Sequence, residues 1–314
     1  MSNFKPPVYD IEKSILYRLR NRTKLAILLR LAPKFFSKSS YKQIIWYQTF
    51  SIAKLNGEER IIHNPNKNLK NIQKRILRYL SRIATPHWLM SGKKGKSYID
   101  NGKYHKSSHY VYTADIRSFY DSCRRDHTYK MFLNTFKMSP DVACILTDIV
   151  TNENCLPTGS PASQLVAYWT YNLTFKAIAS ICENYDAVFS LYVDDMTFSS
   201  NEPISDKMIY EIETQLKKVG LELKKSKTKY FLKNECKLVT GVAIDSNKNI
   251  RVPNKIRKAI INNIHDAKLI TGEPQRKLLL SLRGRLRSAR LIEPNIFRGI
   301  FHQTEKLMQN LKTY

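Results

Sequence analysis

The segment from Ala187 to Ser200, Ala-Val-Phe-Ser-Leu-Tyr-Val-Asp-Asp-Met-Thr-Phe-Ser-Ser, constrains this chain more than any other stretch. β-Branched and aromatic residues flank Tyr192-Val193-Asp194-Asp195 on both sides, a pattern of strand, tight turn and strand. The hairpin carries two adjacent carboxylates at its tip. Unpaired neighbouring acids repel, and no basic residue stands beside them in sequence. A bridging divalent cation makes such a pair favourable. Hard oxygen ligands favour Mg²⁺, and Mg²⁺ on carboxylates usually implies phosphate chemistry. Asp is also a common turn residue, so an acidic turn without chemistry is the plainer alternative.

The charge balance points the same way. With 53 basic and 26 acidic side chains, the 314 residues carry a formal +27. That length supports a substantial core, in one large domain or two or three subdomains. A charge that large opposes compaction unless a polyanion neutralises it. Nucleic acid is the natural candidate, and eighteen tyrosines offer stacking faces for bases. An anionic membrane surface is the weaker alternative, because no apolar run approaches a spanning length. The first residues, Met-Ser-Asn-Phe-Lys-Pro-Pro, lack the apolar core of a signal peptide. Cys123, Cys144, Cys155, Cys182 and Cys236 are odd in number and include no Cys-x-x-Cys pair. This argues against a disulfide framework or zinc knuckle and for a reducing cytosol, so a cytoplasmic location is expected.

Periodicity predicts a basic helix over 10–36 and a hairpin over 43–63 turning at Asn56-Gly57. An amphipathic helix follows from Leu69 to Ile83, with Leu69, Ile72, Ile76, Leu77 and Leu80 on one face. A strand is expected from Tyr110 to Ile116, then helices from Arg125 to Phe136 and from about Pro140 to Val150. A single long apolar helix is expected from Pro161 to Ile181. After the acidic hairpin come a helix near 206–219 and strands near 221–224, 238–244 and 249–252. The residues from 246 onward look helical and carry 15 basic against 4 acidic side chains, a net +11. Strands mixed with helices, without regular βαβ repetition, predict an α+β fold.

Two more segments join the acidic hairpin. Asp115 ends the hydrophobic strand Tyr-Val-Tyr-Thr-Ala-Asp, where its carboxylate can project over a sheet edge; capping the next helix is the bland alternative. Three carboxylates on neighbouring strands can bridge two metals about 3.5–4 Å apart. Leu156-Pro-Thr-Gly-Ser-Pro-Ala-Ser163 opens the apolar helix with a tight backbone and hydroxyls suited to an anionic or sugar-bearing ligand. An ordinary capped helix start explains it equally well.

In order and spacing, these three segments resemble motifs A, B and C of the palm of reverse transcriptases. Glu59-Arg-Ile-Ile-His-Asn-Pro65 with Leu69-Lys-Asn-Ile-Gln73 resembles that family's fingers segment. Gly220-Leu-Glu-Leu-Lys-Lys-Ser-Lys-Thr228 resembles its motif D. Asn101-Gly-Lys-Tyr-His105 resembles the Asn-Ala-x-x-His element of bacterial retron reverse transcriptases, and Val239-Thr-Gly241 resembles their Val-Thr-Gly element.

The resemblance implies an RNA-directed DNA polymerase with a right-hand fold: N-terminal region and fingers over 1–109, palm over 110–245, and a basic helical thumb over 246–314. It implies two Mg²⁺ ions, with Mn²⁺ as a substitute, on Asp115, Asp194 and Asp195, with the Ile116 carbonyl as an added ligand. Lys227 matches a motif D lysine that protonates the leaving pyrophosphate. Arg60 matches a fingers residue gripping the incoming dNTP. Tyr120 matches the ring that excludes a ribose 2′-hydroxyl, and Thr158 and Gly159 match nucleotide-binding positions of motif B. Asn101 and His105 are implied to contact RNA or support the palm. Arg283, Arg287 and Arg290 share one helical face by i, i+4, i+7 spacing and suit RNA recognition. Retron enzymes take a cognate structured noncoding RNA, prime from a guanosine 2′-hydroxyl and make branched RNA–DNA (msDNA). They generally work in antiphage defence with an effector protein. No ribonuclease H segment follows the thumb, so a host ribonuclease H would remove the template.

The chain departs from the family pattern at Thr158, where Gln is common, at Asp121, where Pro is common, and at Val193 and Gly102, where retrons favour Ala. A reverse transcriptase of another lineage and a non-catalytic RNA-binding palm scaffold are the competing readings. Loss of any of the three aspartates would favour the scaffold, and all three are present.

Overall fold

The computed structural model describes residues 8–37, 39–53, 57 and 59–310. Asn56 of the expected Asn56-Gly57 turn and the first seven residues lie outside them; Gly57 itself has φ +82°. The expected long N-terminal helix is reduced to α1 (Arg22–Leu28), capped by the Asn21 carboxamide oxygen accepting from the Lys24 N–H at 2.9 Å. Arg18 and Arg30 sit at φ +54° and +52°, left-handed geometry that stops a helix on either side.

Strands β1 (Tyr47–Ala53) and β2 (Glu59–Pro65) pair antiparallel, with Ile52 opposite Arg60. Helix α2 (Lys67–Leu80) buries Leu69, Ile72, Ile76 and Leu80, as its sequence period predicts. Helix α3 (Tyr98–His105) starts at a capping box formed by Ser97 and Asp100. Strand β3 (Tyr110–Asp115) leads into the single turn α4 (Phe119–Ser122). Helix α5 (Arg125–Lys130) loosens into a π turn over Met131–Thr135, and α6 (Pro140–Val150) begins with proline at its first position.

The expected helix from Pro161 to Ile181 is two helices, α7 (Ser163–Thr170) and α8 (Asn172–Asn184). Tyr171 leaves helical geometry between them. Its ring packs on Phe119 and its hydroxyl donates to Ser122 O at 2.9 Å, so a tertiary contact sets the break. Strands β4 (Val188–Tyr192) and β5 (Asp195–Ser200) form the acidic hairpin, followed by α9 (Asp206–Lys217). The strand expected near 221–224 is a single bridge between Leu223 and Ile116. Strand β6 (Lys229–Phe231), which the pattern does not announce, pairs with β3 instead. Then come β7 (Lys237–Val239), β8 (Val242–Ile244), β9 (Ile250–Arg251) and helices α10 (Asn254–Leu269), α11 (Gly272–Ile292) and α12 (Arg298–Asn310). Strand orders are β1-β2, β4-β5-β3-β6 and β7-β8-β9.

The described residues divide into two compact units. The first takes in the described residues of 1–95, 114–196 and 205–228; the second takes in those of 96–113, 197–204 and 229–314. The first unit's core includes Phe132, Phe136 and Trp169, with Phe136 meeting the indole edge-on at 5.7 Å. The second has a helical core of Ile260, Leu279, Leu282, Leu286 and Ala289, and a smaller one of Val111, Val239 and Ile244. No helix among the described residues is long and apolar enough to cross a membrane.

Candidate active site

The hairpin tip turns through Val193 at φ +62°. A β-branched residue there is strained, and such strain persists only where neighbours enforce it. The neighbour is Ser91, whose hydroxyl oxygen accepts from the Val193 N–H at 2.9 Å. The segment carrying Ser91 runs beside β4, with Leu89 bridged in parallel to Leu191. Sequence reading missed Ser91, since a lone serine in a loop gives no local sign of what it will meet.

The Asp194 carbonyl accepts from the Ile116 N–H at 3.0 Å, which fixes the acidic tip against the end of β3. On the other flank, Lys224 N–H donates to Asp115 O at 2.7 Å and Arg117 N–H to Glu222 O at 2.8 Å. These bonds leave the Ile116 carbonyl without a donor among the described residues. Lys227 follows in a short 3₁₀ turn, and its ammonium donates to Asp115 Oδ2 at 2.5 Å. The order A, C, D read from the sequence is therefore one contiguous patch, with all its residues in the first unit.

The electrostatics show what the patch lacks. Burial, then the charges of Asp194 and Asp115, push the Asp195 carboxyl up to about 6. Burial and Asp115 likewise raise Asp194, against the opposing pull of Lys227 and Arg60. Burial pulls the Lys227 ammonium down, but the bond to Asp115 outweighs it and the net shift is upward. A bound divalent cation would reverse the penalty on the carboxylates. The donor set, three carboxylates and one free carbonyl, is all hard oxygen and fits such an ion. Among the described residues no three His, Cys, Asp or Glu side chains are grouped to hold an ion by themselves. An ion here would complete its shell with water and substrate oxygens, as Mg²⁺ normally does.

Tyr120 lies in α4 beside buried Phe119. Burial and the Asp194 charge push its phenol up to about 12, so the ring stays neutral beside the acidic tip. Arg60 is exposed on β2, and its charge reaches both Tyr120 and Asp194. Motif B docks on the same strand. Thr158 donates its hydroxyl proton to Ile61 O at 3.1 Å, a bond that ties motif B to β2. A methyl on Gly159 would overlap the His63 carbonyl and sit 3.0 Å from Asn64 Cα. Gly159 is thus required by close backbone approach. Gly159→Ala is expected to cost about 1–3 kcal/mol by forcing β2 away, and to raise KM for dNTP by displacing Arg60. A thermal melt and a nucleotide titration check both.

A family model for reverse transcriptase (RNA-dependent DNA polymerase) matches residues 52–253, more than half of the chain. The chain belongs to the reverse transcriptase family. It is 30% identical over 178 residues to the retron Se72 reverse transcriptase of Salmonella heidelberg, covering 55% of this chain and 47% of that protein. It is 24% identical over 283 residues to the retron Ec83 reverse transcriptase of Escherichia coli, covering 85% and 90%. The chain thus spans about half of the first relative and nine tenths of the second. These relatives bear out the likeness to the retron branch. Among solved structures, a telomerase from Candida albicans matches with TM-score 0.52 at 10% identity, over 88% of this chain and 56% of that one. That likeness supports the right-hand polymerase fold expected from the sequence.

Within this reverse transcriptase, the two retron-type elements meet inside the second unit. Asn101 Nδ2 donates to Thr240 Oγ1 at 3.2 Å, and Thr240 Oγ1 donates to Tyr98 O at 3.2 Å. That grip holds Thr240 at φ +44°, a strained position for a β-branched residue. A methyl on Gly102 would come within 2.8 Å of Val242 Cγ2, which explains Gly where Ala is usual. Asn101 and His105 are both 0% exposed, and burial pushes the His105 ring down to about 3. The expected RNA contact by these side chains is therefore corrected: they support the fold from inside, as the alternative reading held.

The thumb arginines also separate. Arg283 approaches Glu305 at 3.8 Å and Met308 Sδ at 3.7 Å, and the Arg290 guanidinium lies 4.6 Å over Phe301. Both fasten α12 to α11, while Arg287 stays exposed.

Proposed function

We propose that this chain is an RNA-directed DNA polymerase of retron type. The observation that carries the proposal is the meeting of Asp115, Asp194, Asp195 and Lys227 at one end of a sheet. Its substrates are dNTPs and a cognate structured noncoding RNA, primed from a guanosine 2′-hydroxyl to give msDNA. Two Mg²⁺ ions would be held by Asp115, Asp194, Asp195 and the Ile116 carbonyl, with Mn²⁺ as a substitute. When bound, they would lower the pKa of the attacking hydroxyl and neutralise the triphosphate and leaving oxygens.

The side chains do the rest. Arg60 draws the triphosphate toward the acidic tip. Tyr120 underlies the sugar and excludes a 2′-hydroxyl. Lys227, released from Asp115 as the site fills, carries a proton within reach of the leaving group. The fingers, palm and thumb follow the division 1–109, 110–245 and 246–314. The biological setting we infer is cytoplasmic antiphage defence with an effector protein, where host ribonuclease H trims the template.

The test is extension of a DNA primer on an RNA template by the purified chain, with and without EDTA, and self-primed synthesis on the RNA transcribed beside its gene. Metal-dependent DNA on both is expected. Extension of neither, with RNA still bound, would leave the non-catalytic scaffold.

Arg287 offers a clean probe of RNA binding. Arg287→Ala should flatten the log–log salt slope of RNA affinity by about 0.7–1 unit and change stability by less than about 0.5 kcal/mol. Arg290→Ala should instead cost about 0.5–1 kcal/mol through its lost contact with Phe301. Salt titrations and melts of both variants separate RNA binding from helix packing. Equal slopes for Arg287→Ala and wild type would assign Arg287 to a solvated face.

A further inference from the structure

The second unit contains a cavity of about 110 Å³, well above the roughly 10–15 Å³ that one water needs. Its lining includes Lys106, His109, Lys233, Lys237, Asp245 and Lys248. Lys106 caps the end of α3, Lys233 lies in the turn before β7, Lys237 opens β7, and Lys248 sits in the turn between β8 and β9. Local hydrogen bonds hold these pieces together. Lys248 donates to Ser107 O at 2.9 Å, and the Lys248 N–H donates to Asp245 O at 2.9 Å.

Lys237 is the unusual member. It is only 3% exposed, yet no carboxylate pairs with it among the described residues. Its ammonium donates to two backbone carbonyls, Lys233 O and Glu235 O, both at 3.1 Å. The third N–H has no acceptor among the described residues. Burial pulls its pKa down, and the Lys248 charge pulls further against Cys236 and Glu235. An uncompensated buried ammonium is costly, and chains keep one where a counter-charge arrives from outside.

Asp245, the one acid in the lining, does not supply that charge. It accepts from Arg251 Nε at 2.9 Å and from the Asn249 N–H at 2.8 Å. Burial would raise its carboxyl, but these donors hold it below the usual carboxylate range. The cavity therefore presents four lysines and one neutralised acid. A phosphate suits such a site, since each non-bridging oxygen can take an ammonium.

We infer that this cavity binds a phosphate of the RNA backbone, with Lys237 at its floor and Lys106, Lys233 and Lys248 at its rim. The inference rests on the reading of the chain as an RNA-binding polymerase. It adds an anchoring point in the second unit that lies outside both the carboxylate patch and the thumb arginines. A contact of this kind fixes register and carries no sequence information.

The test uses the full chain, a fluorescent structured RNA and inorganic phosphate. Lys237→Met keeps the apolar stem of the side chain and removes the ammonium, with its charge and its bonds to Lys233 O and Glu235 O. It should flatten the salt slope of RNA affinity by about 0.7–1 unit, and so should Lys248→Gln at the rim. Lys217→Met, at an exposed position of α9, is the comparison and should leave the slope unchanged. Inorganic phosphate at constant ionic strength should raise the melting temperature of wild type but not of Lys237→Met.

An unchanged slope in both Lys237→Met and Lys248→Gln, with RNA still bound, overturns the site. Phosphate stabilisation without a slope change assigns the cavity to free anions and overturns the assignment to RNA. If Lys237→Met fails to fold, Lys248→Gln and Lys233→Gln decide the same question from the solvent side. If wild type binds no RNA, the broader reading fails, a result that these slopes cannot mimic.

Discussion

Asp194→Asn and Asp195→Asn each reduce metal-dependent nucleotide incorporation by about 10³-fold or more and leave RNA affinity nearly unchanged. Losing a metal-binding carboxylate removes several kcal/mol of transition-state stabilisation, and about 4 kcal/mol is three decades in rate. The same substitution at Asp195 has a second, opposite consequence for stability. Its carboxyl is raised to about 6 in the folded chain by burial and by Asp194 and Asp115. The folded state therefore holds the proton more tightly than the unfolded state does. The stabilisation from that proton is complete below about pH 4 and is lost as pH rises through about 6.

In EDTA at about pH 8, ionised Asp195 thus costs the wild type about 2–3 kcal/mol, a cost that the neutral carboxamide of Asp195→Asn avoids. The variant should melt several degrees higher than wild type at about pH 8, and level with it at about pH 4. Adding Mg²⁺ should raise only the wild type. Near-normal incorporation by either variant would end the assignment of these carboxylates to metal. A variant that melts lower than wild type at the alkaline pH would mean that the acidic tip is not strained by its own charge.

Tyr120→Val admits ribonucleotides. The ring stands in α4 five residues after Asp115, half-buried and next to the charge of Asp194. Forcing a hydroxyl against a packed ring costs about 1–3 kcal/mol, so discrimination should fall by roughly 5- to 150-fold. Val keeps the backbone bond in which Leu156 N–H donates to Tyr120 O at 3.3 Å, so motif B stays in place. Incorporation efficiencies for one ribonucleotide and its deoxy counterpart, on the same primer, give the ratio. An unchanged ratio would assign Tyr120 to the core and the gate to another residue.

How much of this site can be read in the sequence follows from how local each signal is. Asp115, Asp194 and Asp195 are legible because they stand at the ends of apolar strands in the order and spacing of motifs A and C. Lys227 is one lysine among four in a basic run, and only the bond to Asp115 singles it out. Thr158 has the look of a nucleotide contact, but β2 passes close enough to take its proton. Asn101 and His105 resemble surface groups because Asn, Lys and His in a short segment read as polar. Their burial depends on β7, β8 and Ser199, with partners 94 to 139 residues away, and His105 Nδ1 lies 2.7 Å from Ser199 Oγ. The thumb arginines have the spacing of one face, but spacing does not show that α12 comes back to cover two of them.

The sequence by itself determined the local elements with strong periods: α2, α6 and the acidic hairpin all appear where their patterns place them. It also determined the chemistry on offer, because three acids on strand ends and a charge of +27 leave few partners other than metal and nucleic acid. Tertiary structure alone decided where helices break, as at Tyr171, and which residues meet, as Ser91 with Val193 and Asn101 with Thr240. The physical reason is range. Side-chain period and capping act over a few residues, while burial and hydrogen-bond partnership are set by segments that the chain brings together only once it has folded.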